Sequence, residues 1–341
     1  MMPKEAAIAF AREALGLIRS APMDIVPLNQ RGSDRSYFRV SWAPEGSAVL
    51  VHYDPVRPEN ALWADIALFL AGLGVPVPRL LGHDPEACLV LMEDLGDADL
   101  ASFARVDWET RDALYRKTLL AMHRLHSFPA AEFPSGRIRL MDPFGPDLYR
   151  WERGYFMEHF VKSVCGIEPP AALAAGLEEE LSRLAERLSA CPLRLVHRDL
   201  QSQNVMVRGG EPVLIDFQGM RLGCAFYDLG SLLCDPYAGI PEEGREELLS
   251  FYYGLTGPEQ DRAAFQDAFW EASAQRLMQA LGAFGFLGLK RGLPAFLGHV
   301  PSGLANLILA AGRAGSLPLL RDLAAQCREA LPVSLCSSPS L

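Results

Sequence analysis

The hydrophobic pattern of the chain changes character at about residue 96. Before that point, short runs of apolar and β-branched residues end at glycine, proline or a Gly-Ser-Asp turn, which is typical of strands. The predicted strands lie within segments 23–42, 47–55 and 87–96. Segment 59–74 is predicted to be a helix that ends at Gly72 or Gly74, and an amphipathic helix is predicted over 4–20. The pattern therefore predicts a small lobe of strands with one main helix.

Beyond that point, apolar residues recur at the spacing of helices. Helices are predicted over 108–127, 148–165, 171–190, 241–255, 259–287 and 302–315. Two apolar runs, 193–197 and 212–217, are predicted to form a short strand pair within this helical part. The sequence thus predicts two domains, 1–96 and 97–341, with an α+β architecture.

The length, net charge and cysteine pattern of the chain argue against several classes of protein. A length of 341 residues exceeds what one hydrophobic core normally supports, which also favours two lobes. The formal net charge of −10 argues against a nucleic-acid partner, because neutralising a phosphate backbone requires a basic surface. The seven cysteines are odd in number and include no CxxC pair, so neither a disulfide framework nor a zinc site is predicted. We interpret them as buried or incidental thiols in a reducing cytosol.

Two segments bear on membrane targeting. No secretory signal is predicted in segment 1–20, because Arg12 and Glu13 interrupt its apolar run. Segment 292–312 carries no Asp, Glu, Lys or Arg, but it contains two prolines, a histidine and an asparagine. We interpret it as a loop followed by a buried helix rather than a membrane span. A cytoplasmic monomer without a membrane partner is therefore expected.

The strongest chemical signal lies between the two apolar runs of the predicted strand pair. Asp199 follows His-Arg, Asn204 comes five residues later, and Asp216 stands at the end of the run "VLI". Phosphoryl transfer needs a divalent metal across the nucleotide phosphates and a carboxylate that accepts the proton of the attacking hydroxyl. Carboxylate and amide oxygens are suitable ligands for magnesium. The spacing HRDxxxxN followed by IDF is that of the catalytic and metal-binding loops of protein kinases.

On these residues the chain resembles the aminoglycoside phosphotransferase and choline kinase branch of the protein-kinase-like fold. The resemblance implies a small β-rich N-terminal lobe and a larger helical C-terminal lobe. It also implies ATP as co-substrate, Asp199 as the catalytic base, and Asn204 and Asp216 as magnesium ligands. His197 is expected to support the loop.

Within that branch the chain is most similar to bacterial anomeric sugar kinases that phosphorylate N-acetylmuramate and N-acetylglucosamine at the C1 hydroxyl. The similar stretches are "GSDRSYFRV" at 32–40, "LVLMEDLGD" at 89–97, "EHF" at 158–160, the segment 215–237 and the segment 275–301. The resemblance implies a small-molecule sugar acceptor and a place in peptidoglycan recycling.

The nucleotide is expected to contact a turn and a hinge. A Gly-rich turn lets backbone N–H groups approach phosphates, and the predicted turn residues are Gly32, Ser33, Asp34, Arg35 and Ser36. The resemblance places Glu93 and Leu95 at the hinge beside the adenine, read through their backbone groups.

The strand lysine of kinases is missing from this chain. Its place falls near Val49–His52, and we assign it to His52. Arg35 or Arg39 could then neutralise the phosphates, because a guanidinium binds phosphate in a forked geometry. Glu59 and Asp65 are alternative candidates for the acidic helix partner.

The acceptor is expected to bind in the large lobe. Asp235 is a candidate for sugar hydroxyls, Tyr237 for the sugar ring, and Arg276 for the lactyl carboxylate of muramate. For each of the three, packing or a local salt bridge is the alternative. Asp228 is predicted to be a structural anchor of the catalytic loop.

The sequence therefore predicts an ATP- and magnesium-dependent sugar kinase. One alternative on the same fold is a phosphotransferase for an aminoglycoside, choline or another amino alcohol. A second alternative, motivated by the missing lysine, is a pseudokinase that binds nucleotide as a regulatory module.

Overall fold

Five antiparallel strands form one sheet in the N-terminal part of the chain. The computed structural model describes residues 4–18, 22–28, 35–257 and 261–336. The strands are β1 (Met23–Pro27), β2 (Ser36–Trp42), β3 (Gly46–His52), β4 (Leu80–Asp84) and β5 (Leu89–Glu93), in the spatial order β1-β2-β3-β5-β4. β4 was not predicted, because its sequence LLGHD lacks alternation and carries a glycine. A side chain at Gly82 would collide with Ala14, since its Cβ would lie 2.6 Å from the Ala14 Cβ.

The two faces of this sheet serve different purposes. Side chains alternate along a strand, so Ala48 and Leu50 of β3 pack with Ala7 of the N-terminal helix α1 (Lys4–Ala14). Val49 and Val51 point the other way, towards helix α2 (Trp63–Gly72) and the core shared with the C-terminal part. A 3₁₀ turn, Pro58–Leu62, precedes α2.

The rest of the chain is mainly helical, which confirms the predicted α+β class. The helices are α3 (Trp108–Ser127), α4 (Pro146–Phe156), α5 (Ala171–Ala190), α6 (Ala225–Leu233), α7 (Glu242–Thr256), α8 (Arg262–Gly285), α9 (Val300–Ala314), α10 (Pro318–Glu329) and α11 (Val333–Cys336). α3 and α5 have the predicted bounds, whereas α6 and α10 were not predicted. α4 and α8 each continue into a π-helical turn, Met157–Lys162 and Phe286–Lys290.

The predicted pairing of the two apolar runs around the catalytic motif was wrong. β6 (Leu193–Val196) pairs with β9 (Arg221–Cys224), while β7 (Val205–Arg208) pairs with β8 (Glu211–Leu214). Gly209 and Gly210, with φ of 60° and 78°, form the turn between β7 and β8. Two glycines in left-handed backbone make a tight hairpin, so the local partner of β8 is β7 rather than β6.

This arrangement brings the end of β6, the start of β7 and the end of β8 to one place. The motif loop 197–204 follows β6, and Asp216 follows β8. The N-terminal part reaches this region through α2, because the ring of Trp63 lies 5.3 Å from that of Phe217. The predicted boundary at residue 96 falls directly after β5 and stays a prediction.

The apolar segment near the C-terminus folds as a turn and a helix. Pro294–Ala314, with a mean hydropathy of 1.3, is the one candidate span by length and composition among the described helices. It consists of the 3₁₀ turn Pro294–His299 and of α9. One face of α9, including Leu304 and Leu307, is fully buried in the core. The predicted turn and helix are therefore present, but only 33% of the most apolar window is buried, so the helix is buried on one face rather than throughout.

Candidate active site

A cleft of about 690 Å³ separates the N-terminal sheet from the helical part. Eight of the predicted site residues line it: Asp199, Asn204, Asp216, Arg35, Glu93, Leu95, Tyr237 and Arg276. Ser36 and Asp235 are not part of the lining, and Gly32, Ser33 and Asp34 lie outside the described residues. The two carboxylates and the amide of the motif therefore converge on one cavity, as predicted from their spacing.

A buried carboxylate holds the motif loop in place. Asp228 on α6 has no exposed surface, and its two oxygens accept the backbone N–H groups of His197 and Arg198 at 2.6 and 2.8 Å. The His126 ring on α3 contacts the same carboxylate at 3.1 Å. His197 in turn contacts the Ile215 carbonyl through Nε2 at 3.0 Å. Asp228 and His197 thus support the loop, as the sequence indicated, and neither lines the cleft.

Two side chains of the site stand on left-handed backbone. Arg198 has φ 78° and Asp216 has φ 63°, and only one other described non-glycine residue, Cys88, has a positive φ. Such a conformation costs about 1 kcal/mol or more for a residue with a Cβ. At Arg198 the hydrogen bond to Asp228 offsets the cost. Both residues line the cleft.

Asp199 presents one carboxylate oxygen to the cleft. Its Oδ1 accepts hydrogen bonds from Arg276 Nη2 at 2.8 Å and from the Gln201 amide. No described residue donates a hydrogen bond to Oδ2, from which the Arg198 guanidinium lies 4.0 Å away. About a quarter of the side chain is exposed. One oxygen is therefore held by protein while the other can accept the proton of a bound hydroxyl.

Asp216 is held in the same one-sided way. Its Oδ1 contacts Arg35 Nη1 at 2.8 Å and Gln218 Nε2 at 2.7 Å. Burial alone would raise the pKa of Asp216, but the charge of Arg35 and these hydrogen bonds outweigh burial and hold the pKa below its ordinary value. The carboxylate is therefore ionised, and among the described residues no hydrogen bond to its Oδ2 is found.

The donor set fits a magnesium ion. The Asn204 amide nitrogen donates to the Asp199 carbonyl at 2.8 Å, which leaves its Oδ1 as a second oxygen donor, and both Asn204 and Asp216 line the cleft. Within the described residues no group of three or more His, Cys, Asp or Glu side chains could hold a metal by itself. Magnesium commonly takes only one or two protein oxygens and completes its shell with water and substrate phosphates. Asn204 and Asp216 suit that mode.

The place of the missing lysine is occupied by valine. Val49 and Val51 of β3 face the cleft, whereas His52 is not among the lining residues. The assignment of that position to His52 was wrong by one residue, which in a strand reverses the face. The guanidinium of Arg35, which lies between β1 and β2 in the chain, brings a positive charge into the cleft instead. It contacts Asp216 across the cleft. Glu59 also lines the cleft, while Asp65 is exposed elsewhere.

The hinge is fixed by ion pairs on both sides. Arg39 of β2 contacts Asp94 through Nε at 2.8 Å and Asp97 through Nη2 at 2.8 Å. Glu93 pairs with Arg208 of β7 at 2.5 Å. Both phosphate candidates are ion-paired, but Arg35 is paired with the magnesium-ligand candidate Asp216, whereas Arg39 is paired with the hinge. The contact of Glu93 and Leu95 with adenine stays a prediction.

Two of the three acceptor candidates, Arg276 and Tyr237, line the cleft. Arg276 lines the cleft, but its guanidinium already contacts Asp199, Ser231 and Gln279. Tyr237 also lines the cleft, with its ring 4.3 Å from His299 and 5.7 Å from Phe284. Their contact with an acceptor stays a prediction.

Asp235 lies beneath the cleft surface. It is only 2% exposed. Its Oδ2 accepts both the N–H and the hydroxyl of Ser202, and its Oδ1 accepts the Tyr237 N–H at 3.1 Å. The carboxylate therefore holds the motif loop against the Tyr237 segment and does not face the acceptor, which corrects the role predicted for it.

Several residues of the site were not identified from the sequence. Arg198 and Gln201 lie inside the recognised motif, so their position could have indicated them. Gln279 stands three residues after Arg276, on the same side of a helix. Phe296 reaches the cleft from a separate turn; it lies in the similar segment 275–301, but nothing in that segment singled it out.

Comparison with known proteins agrees with this geometry. The sequence model of the phosphotransferase enzyme family, APH, matches residues 24–280. The chain belongs to this family. An N-acetylmuramate/N-acetylglucosamine kinase of Pseudomonas aeruginosa is 26% identical over 89% of this chain and 88% of its own length. A protein of the same name from Pseudomonas putida is 28% identical over 86% and 85%.

Solved structures share the fold. A choline/ethanolamine kinase family protein from Mesorhizobium loti superposes with a TM-score of 0.61 at 18% identity, covering 96% of this chain and all of that one. The gentamicin complex of APH(2")-IIa gives a TM-score of 0.57 at 15% identity, covering 90% and 96%. At these identities the likeness establishes the protein-kinase-like fold alone.

The buried Asp235 gives a pH-dependent prediction. Burial raises its pKa from 3.8 to about 6 despite the hydrogen bonds from Ser202 and Tyr237. The folded protein then binds this proton more tightly than the unfolded chain, so its contribution to stability grows as the pH falls. Between pH 7 and 5, wild type should gain about 1.4 kcal/mol relative to Asp235→Asn.

Urea denaturation of both proteins at the two pH values measures this change. Asp267→Asn, at an exposed position of α8, is the matched control and should keep a constant difference from wild type. If the difference for Asp235→Asn is equally constant, the carboxyl does not titrate in this range.

Proposed function

We propose that this phosphotransferase is an ATP- and magnesium-dependent kinase for the anomeric hydroxyl of N-acetylmuramate, N-acetylglucosamine or both. The observation that carries the proposal is the likeness, over most of both chains, to relatives that bear the name N-acetylmuramate/N-acetylglucosamine kinase. The charges and shape of the cleft support it. A cytoplasmic role in peptidoglycan recycling is part of the proposal.

The hinge side of the cleft suits an adenine ring. Apolar side chains from both lobes line it: Leu28, Val49, Val90 and Met92 from the N-terminal sheet, and Met206 and Ile215 from the C-terminal strands. A flat aromatic base between two apolar surfaces buries area without leaving polar groups unpaired. This part of the cleft is therefore assigned to the nucleotide base.

The middle of the cleft suits the phosphates. Arg35, Arg57 and Arg198 line it beside the two magnesium-ligand candidates. A magnesium ion bound by Asn204 and Asp216 would neutralise charge on the phosphate oxygens. Arg35 is assigned the phosphate contact that the strand lysine makes in other kinases.

Asp199 is assigned the role of general base. Its Oδ1 is oriented by Arg276 and Gln201, and its Oδ2 accepts the hydrogen bond of the acceptor hydroxyl. As the hydroxyl oxygen attacks the terminal phosphorus, the proton passes to Oδ2, the bond between that phosphorus and the bridging oxygen breaks, and ADP leaves. Arg276 keeps the carboxylate oriented during the transfer.

The acceptor end of the cleft discriminates between acceptor classes. From α8 onward, the described lining residues include the cation of Arg276 together with Gln279, Ala280, Phe284, Leu287 and Phe296, and no carboxylate. A cationic aminoglycoside would meet no carboxylate on this wall, and the guanidinium groups of Arg276 and Arg198 line the same cleft. A neutral or anionic N-acetylated sugar meets amide, aromatic and guanidinium groups, as such an acceptor requires.

An acceptor panel tests the proposal directly. Purified protein with magnesium and ATP should phosphorylate N-acetylmuramate or N-acetylglucosamine, and phosphorus NMR should place the new phosphate on C1. Choline and an aminoglycoside serve as cationic comparisons and should not turn over. Transfer to a cationic acceptor alone would replace the proposal with the amino-alcohol alternative, and ATP binding without transfer to any acceptor would favour a regulatory module.

Replacing Asp199 should slow phosphoryl transfer without weakening ATP binding. Asp199→Asn keeps the size and the contact to Arg276 but cannot accept the proton, so kcat should fall by about 10²–10⁴-fold. ATP affinity, measured by calorimetry, should stay within about twofold because the base does not contact the nucleotide. Asp267→Asn on the surface of α8 is the control. Full activity of the Asp199 variant would remove it as the base.

Replacing Arg35 should weaken nucleotide binding. Loss of a charge-assisted contact costs about 1.5–3 kcal/mol, so Arg35→Ala should raise KM for ATP by roughly 10- to 100-fold while KM for the sugar changes little. Arg35→Lys keeps the charge and should recover part of the loss. An unchanged KM for ATP in the alanine variant would exclude Arg35 from phosphate binding.

A further inference from the structure

Side chains from three helices hold the backbone of one short segment, residues 233–239. The segment begins at the end of α6 and carries Tyr237, the acceptor candidate that lines the cleft. Its carbonyl groups accept hydrogen bonds from Arg111 of α3, Arg245 of α7 and Asn306 of α9. None of these three donors lines the cleft, so none of them contacts a substrate bound there.

The two arginines are buried and donate to main-chain carbonyls. Arg111 and Arg245 are 6% and 5% exposed. Arg111 Nη2 lies 2.6 Å from the Ala238 carbonyl oxygen, and Arg245 Nε lies 2.8 Å from that of Leu233. A buried guanidinium is costly unless it is hydrogen-bonded, and hydrogen bonds from a charged donor are strong. Both ends of the segment are therefore held next to a buried charge.

Asn306 links the segment to two helices. Its Nδ2 donates to the Cys234 carbonyl at 3.0 Å, and its Oδ1 accepts from Arg245 Nη2 at 3.4 Å. An amide side chain can make both contacts because it carries a donor and an acceptor. Asn306 therefore joins α9 to the backbone of the segment and, through Arg245, to α7.

The same face of α9 supports the Tyr237 ring. His299 directly precedes α9, and its ring centroid lies 4.3 Å from that of Tyr237. Gly303 lies against Pro236, since a Cβ at Gly303 would be 3.4 Å from the Pro236 Cγ. Positions 299, 303 and 306 lie on one side of a helix. The side chain that holds the backbone of the segment thus belongs to the helix that packs on its aromatic ring.

We propose that Asn306, assisted by Arg245, is a positioning residue for acceptor binding. It holds the backbone of segment 233–239 against α9, so that the Tyr237 ring keeps its place in the wall of the cleft. The proposal rests on the proposed function, because it takes Tyr237 as a contact of the sugar acceptor. It assigns part of the acceptor affinity to a side chain that touches no substrate.

The contacts that hold the rest of the site are separate. On the nucleotide side, Arg35 is held by Asp216. The motif loop is held by the hydrogen bond from the Ser202 N–H to Asp235. Neither contact uses the Asn306 amide. Loss of that amide should therefore weaken acceptor binding and leave ATP binding unchanged.

The Michaelis constants of Asn306→Ala measure this difference. Loss of one hydrogen bond from a neutral donor should raise KM for N-acetylmuramate or N-acetylglucosamine by about 3- to 10-fold, while KM for ATP stays within about twofold. Arg313→Ala is the matched control, because Arg313 also joins α9 to α7, through surface ion pairs with Glu242 and Glu246. It should leave both constants unchanged. Equal rises for acceptor and ATP, or a similar rise in the control, would overturn the proposal.

A double-mutant cycle with Tyr237 tests the route of the effect. If Asn306 acts through Tyr237, Asn306→Ala should add little to the rise in acceptor KM that Tyr237→Ala already causes. Additive effects would contradict the positioning role. Arg245→Lys is a second substitution that does not depend on the folding of Asn306→Ala. It keeps the charge but loses the forked contact with Leu233 and Asn306, so it should also raise KM for the acceptor alone.

Amide hydrogen exchange tests the positioning without turnover. In the absence of substrates, the peptide that contains residues 234–239 should exchange faster in Asn306→Ala than in wild type or Arg313→Ala, because the segment loses the donor to its Cys234 carbonyl. Unchanged exchange would overturn the proposal. Faster exchange without transfer to any N-acetylated sugar would support the positioning and refute the proposed function instead, so the two failures are distinguishable.

Discussion

The geometry of the site depends on one buried carboxylate. Asp228 accepts two successive backbone N–H groups of the motif loop and a contact from His126, with no exposed surface of its own. Those N–H groups belong to the turn in which Arg198 takes up left-handed backbone. A peptide with that φ would relax without a fixed acceptor, and Asp199, the next residue, would move with it. A buried carboxylate that is hydrogen-bonded through both oxygens is stable, whereas the same carboxylate without these partners would be very costly. The loop and its anchor therefore require each other.

The carboxylates of Asp199 and Asp216 are both held by an arginine. Asp199 and Asp216 each give Oδ1 to an arginine, Arg276 and Arg35 respectively, and keep Oδ2 for a ligand. Each pair lowers the cost of placing a carboxylate in a partly buried cleft before substrate arrives. The two arginines come from different lobes, since Arg35 precedes β2 and Arg276 lies on α8. The N-terminal part thus supplies one of the two arginine contacts that hold the cleft carboxylates.

The sequence was most informative where the chemistry is local. Asp199, Asn204 and Asp216 lie within one short segment, so their spacing could predict their convergence without knowledge of the fold. The pairing of β8 was mistaken because the hairpin at Gly209 and Gly210 competes with a longer-range pairing that periodicity alone favours. The assignment of His52 failed for a related reason, since a one-residue error of register exchanges the two faces of a strand.

Asp235 shows why acceptor residues were harder to predict than catalytic ones. An aspartate near the C-terminal end of α6 can face a ligand or face the loop below it, and the sequence pattern is the same for both. Whether the side chain is buried decides between these two orientations. Its burial depends on how α3, α8 and the motif loop pack together. Because Asp235 accepts from Ser202 of the motif loop and from the Tyr237 backbone, the segment of the acceptor candidate Tyr237 is tied to the loop of the base candidate Asp199. If both proposed roles hold, a change of fit at Tyr237 is transmitted to the motif loop through Asp235.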